Sequence, residues 1–143
     1  MAIFKDYLEN KSPLILHGAL GTEMESLGYD ISGKLWSAKY LLEKPEVIQK
    51  IHETYVAAGS DLITTSSYQA TLPGLIDAGL TKEEAEQIIA LTVQLAKDAR
   101  DKVWATLDET EKAKRPYPLI SGDVGPYAAY LANGSECTGD YGQ

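Results

Sequence analysis

The sequence is poor in the residue types that form disulfides and metal centres. Its 143 residues include one cysteine, Cys137, and two histidines, His17 and His52. A single thiol forms no disulfide within the chain, and these three side chains do not share the spacing of metal ligands. We therefore expect a reducing compartment and no metal site within these residues.

Long apolar runs are also lacking. The uncharged apolar stretches, such as Leu14 to Leu16, are far shorter than the roughly 20 residues that span a bilayer. The first ten residues, MAIFKDYLEN, mix acidic residues with apolar ones, whereas a secretory signal peptide has an uninterrupted apolar core. We expect a cytoplasmic protein with no membrane partner.

Positive charge is scarce. The chain has 13 Lys and Arg residues against 21 Asp and Glu residues, a formal net charge of −8. Because the basic residues are dispersed and the excess negative charge repels a phosphate backbone, we expect no nucleic-acid partner. The hydrophobic fraction of 44% is typical of a globular domain.

Three short apolar segments predict strands, at residues 14–16, 61–65 and 118–122. The first lacks polar alternation, as in a strand that is covered on both faces, and the second is rich in β-branched residues. Helical patterns separate the three segments. This alternation indicates right-handed βαβ units, a parallel sheet and the α/β class.

The helix signals lie between these strands. Pro45 suits the first residue of a helix that has an apolar stripe and ends at Gly59. Thr81 and Glu84 form a capping box that opens a long helix, and the polar run 108–115 ends it. Two further helices are predicted, near residues 3–8 and over residues 36–42.

The loops that follow the strands are the expected ligand site, because ligands bind beyond the carboxyl ends of parallel strands. These loops are residues 17–23, 66–71 and 122–130. The turn from Gly18 to Gly21 has two open interpretations, an anion cradle or a tight strand-to-helix turn. It lacks the lysine of a P-loop and the third glycine of a dinucleotide fingerprint.

The chemically active side chains each have a structural alternative. His17 follows a strand, where it could transfer a proton or bind a substrate, or simply pack. His52 lies in an amphipathic helix and is interpreted as a packed or surface residue. Cys137 lies in a polar loop and is interpreted as an incidental thiol. Tyr68, Gln69, Tyr127 and Tyr130 suit a small polar ligand with an apolar stem.

Three segments carry a family resemblance. They are LILHGALGTEMESLG at residues 14–28, LWSAKYLLEKPEVIQKIHETYVAAGSDLITTSSYQAT at residues 35–71, and SGDVGPYAAYLANGSECTGDYG at residues 121–142. In this order and spacing the sequence resembles the homocysteine S-methyltransferase family, especially the microbial branch that uses S-methylmethionine or S-adenosylmethionine. The resemblance implies methyl transfer from a sulfonium donor to homocysteine, which gives methionine.

The family fold is a (β/α)8 TIM barrel. The resemblance therefore implies that residues 1–143 are the N-terminal segment of one homocysteine-binding barrel domain, with about three β/α units. The loop-like residues 139–143 also favour a barrel that continues beyond this segment. We expect the segment alone to be inactive.

The resemblance also implies a zinc cofactor for the full-length protein. The three zinc-binding cysteines of the family lie on later strands, Cys137 matches none of them, and we expect no zinc bound here. No catalytic residue is assigned. The implied substrate-binding positions are His17, Gly18, Ala19, Thr22, Glu23, Ser67, Tyr68, Gln69, Gly122 and Tyr127.

One of these positions departs from the family. His17 stands where the family usually has an aspartate that could pair with the substrate ammonium group. A neutral histidine does not supply that negative charge.

Two other functions fit the residues. The chain could be a non-catalytic partial barrel that binds a small ligand or forms a homo-oligomer through its exposed strand edges. It could also be a phosphate-binding barrel enzyme that uses the turn from Gly18 to Gly21.

Overall fold

The computed structural model describes residues 5, 7, 9, 13–32, 35–131 and 133–142. Within them lie two strands, β1 (Leu62–Thr64) and β2 (Leu119–Ser121). A 3-10 helix spans Trp36–Ala38. The α-helices are α1 (Leu20–Ser26), α2 (Lys39–Glu43), α3 (Pro45–Ala57), α4 (Leu72–Asp77), α5 (Lys82–Thr106), α6 (Glu109–Lys112), α7 (Tyr127–Leu131) and α8 (Ser135–Thr138).

The two strands pair in parallel, with Ile63 opposite Ile120. Both lie within the predicted segments 61–65 and 118–122, so the parallel arrangement and the mixed α/β class are confirmed. A long helix, α5, connects them, as a parallel crossover requires.

The first predicted strand, residues 14–16, forms only a single parallel bridge, between Leu16 and Leu62. The amide of Asp61 donates to the carbonyl of Ile15 at 2.8 Å, and the amide of His17 donates to the carbonyl of Leu62 at 3.1 Å. The segment thus lies beside β1 in the order expected for consecutive βα units. It is not a full strand, because Ile15 and Leu16 are 58% and 56% exposed and lack the cover on both faces that the prediction assumed.

Helix α3 forms as its sequence predicts. Pro45 is its first residue, and Gly59 just beyond its end has a φ of +106°, a left-handed conformation that glycine adopts without strain. Its buried stripe comprises Val47, Ile48, Ile51, His52, Glu53 and Val56.

Helix α5 packs along α3 and covers the sheet. At its start the Thr81 amide donates to the Glu84 carboxylate at 2.8 Å, and the Glu84 amide donates to the Thr81 hydroxyl at 3.2 Å, which confirms the capping box. Three of its buried residues, Ala85, Ala96 and Ala99, have small side chains, so neighbouring elements can approach the helix closely. Among the described helices, none combines the length and apolar character needed to cross a bilayer.

Two apolar clusters form the core of the part of the chain that the structure describes. The larger one joins α1 to α5 around Met24, Leu41, Ile48 and Leu75. The smaller one, formed by Val56, Ile63 and Ala96, packs β1 against α3 and α5. These contacts hold the carboxyl ends of the strands in place relative to the helices.

Four short helices were not predicted. Helix α4 contains Pro73 and Gly74, which favour a loop, but the Thr71 hydroxyl caps it and burial of Leu75 stabilises it. Helix α6 begins with a capping box between Asp108 and Glu111, within the polar run 108–115 that was expected only to end the long helix. Helix α7 begins within the loop predicted over residues 122–130. Helix α8 contains Cys137, which was expected in a polar loop and is exposed.

Two predictions concern the N-terminal third of the chain. The helix predicted near residues 3–8 falls largely outside the described residues. The helix predicted over residues 36–42 is confirmed, as a 3-10 turn that continues into α2.

A buried carboxylate links α3 to α5. The Glu53 side chain is only 8% exposed, and its carboxylate contacts the amine of Lys102 at 2.8 Å and that of Lys50 at 3.5 Å. Burial raises the pKa of Glu53, but the two lysines and their hydrogen bonds lower it further, so that the net pKa lies below 4.5. Glu53 therefore stabilises the helix pair as a charged group.

We predict that Glu53→Gln lowers the free energy of unfolding at neutral pH by about 1–2 kcal/mol, between the ranges for exposed and buried ion pairs. Because the folded pKa is depressed, this contribution is present above pH 4.5 and is lost as pH falls through the folded pKa. Urea unfolding at several pH values measures both effects. The control is Glu86→Gln. Glu86 forms an exposed ion pair with Lys82 at 3.7 Å, so its loss should change stability little. Equal losses in both variants would contradict the assignment.

Candidate functional site

The loops that follow the strands enclose a cavity of about 520 Å³, here called the strand-end cavity. One wall is the segment from Leu16 to Thr22. The opposite wall runs from Thr64 at the end of β1 to Gln69, and Asp123 from the loop after β2 completes it. The cavity thus lies where a parallel α/β sheet normally binds its ligand.

The glycine turn is shaped by a close approach to Tyr55. A Cβ atom at Gly18 would lie 2.7 Å from the Tyr55 ring, and the Tyr55 hydroxyl donates to the Ala19 carbonyl at 3.1 Å. A side chain at residue 18 would displace the Tyr55 ring, so this contact gives Gly18 a packing role and favours the tight-turn interpretation over the anion cradle.

Two histidines meet at the cavity wall. The rings of His17 and His52 lie 6.1 Å apart between centroids, in an edge-to-face arrangement. Nε2 of His17 forms a hydrogen bond with the Thr64 hydroxyl. His52 is 1% exposed, and neither of its ring nitrogens has a hydrogen-bond partner within the part of the chain that the structure describes.

Both imidazoles are neutral at pH 7. Burial, aided by the nearby His17, lowers the pKa of His52 from 6.5 to about 4. Burial also lowers the pKa of His17, although the nearby Gly18 backbone and the charge of Asp123 oppose this change. The site therefore combines unprotonated histidines with a carboxylate.

A hydroxyl network positions the loop after β2. The Asp123 amide donates to the Thr65 hydroxyl at 2.9 Å, and the Ser67 hydroxyl donates to the Asp123 carbonyl at 2.6 Å. The two hydroxyls also contact each other at 2.7 Å. Asp123 is thereby held from both its amide and its carbonyl at the edge of the strand-end cavity.

A second contact joins the same two loops. A Cβ atom at Gly125 would lie 2.1 Å from the carbonyl oxygen of Tyr68, which is backbone and has little freedom to move. The loop after β2 can therefore approach the loop after β1 only because residue 125 is glycine.

The predicted substrate-binding residues divide into two groups. His17, Gly18, Ala19, Thr22, Tyr68 and Gln69 line the strand-end cavity. The others do not line it: Glu23 lies in the first turn of α1, Ser67 holds Asp123, Gly122 is exposed, and Tyr127 is 68% exposed beside Tyr130. All ten assignments as substrate contacts stay predictions.

His52, Asp123 and Glu25 also line the cavity. Sequence reasoning missed His52 and Glu25 as lining residues, and it placed Asp123 in an expected ligand loop without assigning it a role. His52 was expected to pack or lie on the surface, and it does pack, but it also faces the cavity. Asp123 directly follows a predicted strand, and an acidic residue at that position was a usable signal. Nothing in the sequence marked Glu25.

The cavity carries negative charge. Its described lining residues include two acidic side chains, Glu25 and Asp123, and no lysine or arginine. A concave site with one sign of charge attracts ligands of the opposite sign. The geometry thus favours a ligand with a cationic group and disfavours phosphate.

The side chains present do not fit a zinc site. Among residues 13–32, 35–131 and 133–142, no group of three or more His, Cys, Asp or Glu side chains is arranged to hold a metal ion. Cys137 is exposed in α8 and does not line the strand-end cavity.

Comparisons with known proteins agree with one another. The profile of the homocysteine S-methyltransferase family matches residues 14–143. Homocysteine S-methyltransferase YbgG of Bacillus subtilis is 45% identical over 128 residues, which are 90% of this chain and 40% of that protein. The Escherichia coli homocysteine S-methyltransferase is 42% identical, with 94% of this chain and 42% of that protein covered.

Solved structures give the same result. The oxidized form of the Escherichia coli homocysteine methyltransferase MmuM superposes with a TM-score of 0.86 at 39% identity, and covers 98% of this chain. Its metallated form superposes with a TM-score of 0.81 at 40% identity. In both cases the match covers 46% of the solved chain. The present chain therefore spans less than half the length of its relatives.

We predict that Gly125→Ala lowers the free energy of unfolding by about 1–3 kcal/mol, because the added methyl group overlaps the Tyr68 carbonyl. Chemical denaturation measures the loss, and amide NMR shifts in residues 65–69 report displacement of the loops. The matched control is Gly122→Ala, where a Cβ atom meets nothing within 4 Å. Similar destabilisation by both substitutions would show that the close approach is not the cause.

We predict that the His52 ring titrates near pH 4 in the folded chain, against 6.5 when unfolded, as measured by NMR of its ring protons. Since the folded pKa is depressed, the contribution of neutral His52 to the free energy of unfolding is fully present above pH 6.5. It is lost as the pH falls from 6.5 towards 4. Between pH 6.5 and pH 5 the loss should be about 2 kcal/mol. His52→Phe should remove this share of the pH dependence. A His52 pKa at or above 6.5 would contradict the burial argument.

Proposed function

Because the chain belongs to the homocysteine S-methyltransferase family, we propose that residues 1–143 are the N-terminal segment of a single (β/α)8 barrel domain that transfers a methyl group to homocysteine. The segment supplies about three β/α units, and the methyl donor is a sulfonium compound, S-methylmethionine or S-adenosylmethionine. Support comes from the parallel order of residues 14–16, β1 and β2. The high superposition on the barrel enzyme also supports it.

The observation that carries this proposal is the charge of the strand-end cavity. The cavity has two carboxylates and two neutral histidines among its described lining residues. Homocysteine carries an ammonium group, and the donor carries a sulfonium group. Negative charge in a partly enclosed site favours both cations over neutral analogues.

In the proposed reaction the homocysteine sulfur attacks the methyl carbon of the sulfonium. The bond from the methyl carbon to the donor sulfur breaks, its electron pair stays on that sulfur, and the proton of the homocysteine thiol is released to solvent. The residues of this chain bind and orient the substrate. His17, Tyr68 and Gln69 offer polar and aromatic contacts at the cavity wall. Correct placement of the two reactants is itself a large part of the rate of a bimolecular transfer.

Activation of the thiol is not assigned to these residues. Zinc would lower the thiol pKa, but the described side chains do not fit a zinc site. We propose that the ligands for zinc come from parts of the barrel outside residues 1–143.

A self-associating partial barrel is the second candidate. The exposure of Ile15 and Leu16 beside β1 is compatible with pairing to another chain. The family match over residues 14–143 is specific to the methyltransferases, however, and does not favour a non-catalytic role.

We predict that joining residues 1–143 to the remaining C-terminal part of the Escherichia coli relative, which is 42% identical over the matched region, restores methionine formation. The substrates are homocysteine and S-methylmethionine, and mass spectrometry measures the product. The two controls are the 143-residue chain alone and the C-terminal part alone, neither of which should turn over. A chimera that folds and retains zinc but forms no methionine would refute the proposal.

A further inference from the structure

We propose that Asp123 is the residue that recognises the ammonium group of the ligand. The inference rests on the proposed function for the identity of the substrate. The negative charge of the strand-end cavity, in contrast, follows from its lining residues and does not depend on which ligand binds. Asp123 lies in the expected ligand loop, residues 122–130, but sequence reasoning assigned it no individual role.

The first step is the location of charge. Glu25 and Asp123 are the charged residues among the described residues that line the strand-end cavity. Glu25 is exposed in α1, so water screens its charge. Asp123 is half-buried, and its charge acts on the ring of His17 across the cavity. An ammonium group in the cavity therefore interacts more strongly with Asp123.

The second step is the freedom of the carboxylate. The hydroxyls of Thr65 and Ser67 bind the backbone of Asp123 and leave its side chain free. Within the described residues, the Asp123 carboxylate accepts no hydrogen bond and forms no ion pair. A carboxylate has about four lone-pair sites, and here they are available to a ligand whose position the fixed backbone determines.

The third step is the unmet hydrogen bonding of the neighbouring histidines. His52 is 1% exposed, and both of its ring nitrogens lack partners among the described residues. A buried polar group without a partner is unfavourable by about 1–3 kcal/mol. The cavity thus holds buried polar atoms whose hydrogen bonds a polar ligand can complete, beside a carboxylate that can pair with a cation.

The fourth step excludes the other histidine as the source of charge. His17 is neutral at pH 7 because burial lowers its pKa. It can exchange hydrogen bonds with a ligand but does not attract a cation. The ligand class that fits is an amino acid whose ammonium group lies against Asp123.

The test compares three probes by NMR titration of the 143-residue chain. L-Homocysteine has both the amine and the thiol, L-2-aminobutanoate has the amine without the thiol, and 4-mercaptobutanoate has the thiol without the amine. Asp123→Asn and Asp123→Ser remove the charge with different side-chain sizes, so a folded variant is available if one of them misfolds. Asp98→Asn is the matched control, since Asp98 is exposed in α5 and accepts from Gln94 at 2.7 Å.

We expect the Asp123 variants to bind both amines about tenfold more weakly, the loss of one charge-assisted hydrogen bond, with 4-mercaptobutanoate unaffected. Asp98→Asn should behave as the unmodified chain. Retention of the amine preference without Asp123, or its loss in Glu25→Gln instead, would overturn the inference but not the proposed function if homocysteine still binds.

The remaining outcomes separate the two proposals. Asp123-dependent binding of 2-aminobutanoate as tight as that of homocysteine would support the ammonium site and count against a thiol substrate. A chain that binds neither amine would overturn the inference, while turnover by the chimera would still support the proposed function.

Discussion

The parallel pairing of β1 with β2 is the interaction on which the site depends. The register of Ile63 opposite Ile120 places the residues just after β1 beside the residues just after β2. Thr65 then donates its amide to the Ser121 carbonyl at 2.9 Å, and its hydroxyl accepts from the Asp123 amide. A slip in register would separate these groups, because each strand is only three residues long. The packing of α3 and α5 on Ile63 holds this register.

The electrostatics of the site follow from the same packing. The helix stripe that buries Ile48 and Ile51 also buries His52, which removes its ring from water and keeps it neutral. Negative charge enters the cavity from the strand-end loop instead, through Asp123. The packing of the helices therefore leaves a cavity lined by carboxylates and neutral imidazoles, an arrangement that favours a ligand with a cationic group.

Several features could be predicted from sequence because their signals are local. Pro45, Gly59 and the pair Thr81 and Glu84 act within one turn of their own helix, and all three helix boundaries form where expected. The strand at residues 14–16 was only partly correct, since strand formation depends on neighbours that local composition does not report. Helix α4 was missed because burial of Leu75 outweighs the loop preference of Pro73 and Gly74.

The sequence alone determined the α/β class, the loops that carry the site and the family resemblance, because periodicity, caps and motif order are properties of the chain itself. Only the tertiary structure decided which side chains meet. His17 and His52 are 35 residues apart in the sequence, and Thr65 and Asp123 are 58 apart. Their proximity arises from strand register and helix packing, which no local pattern encodes. The tertiary structure therefore distinguished the residues that line the cavity from the residues that only support it.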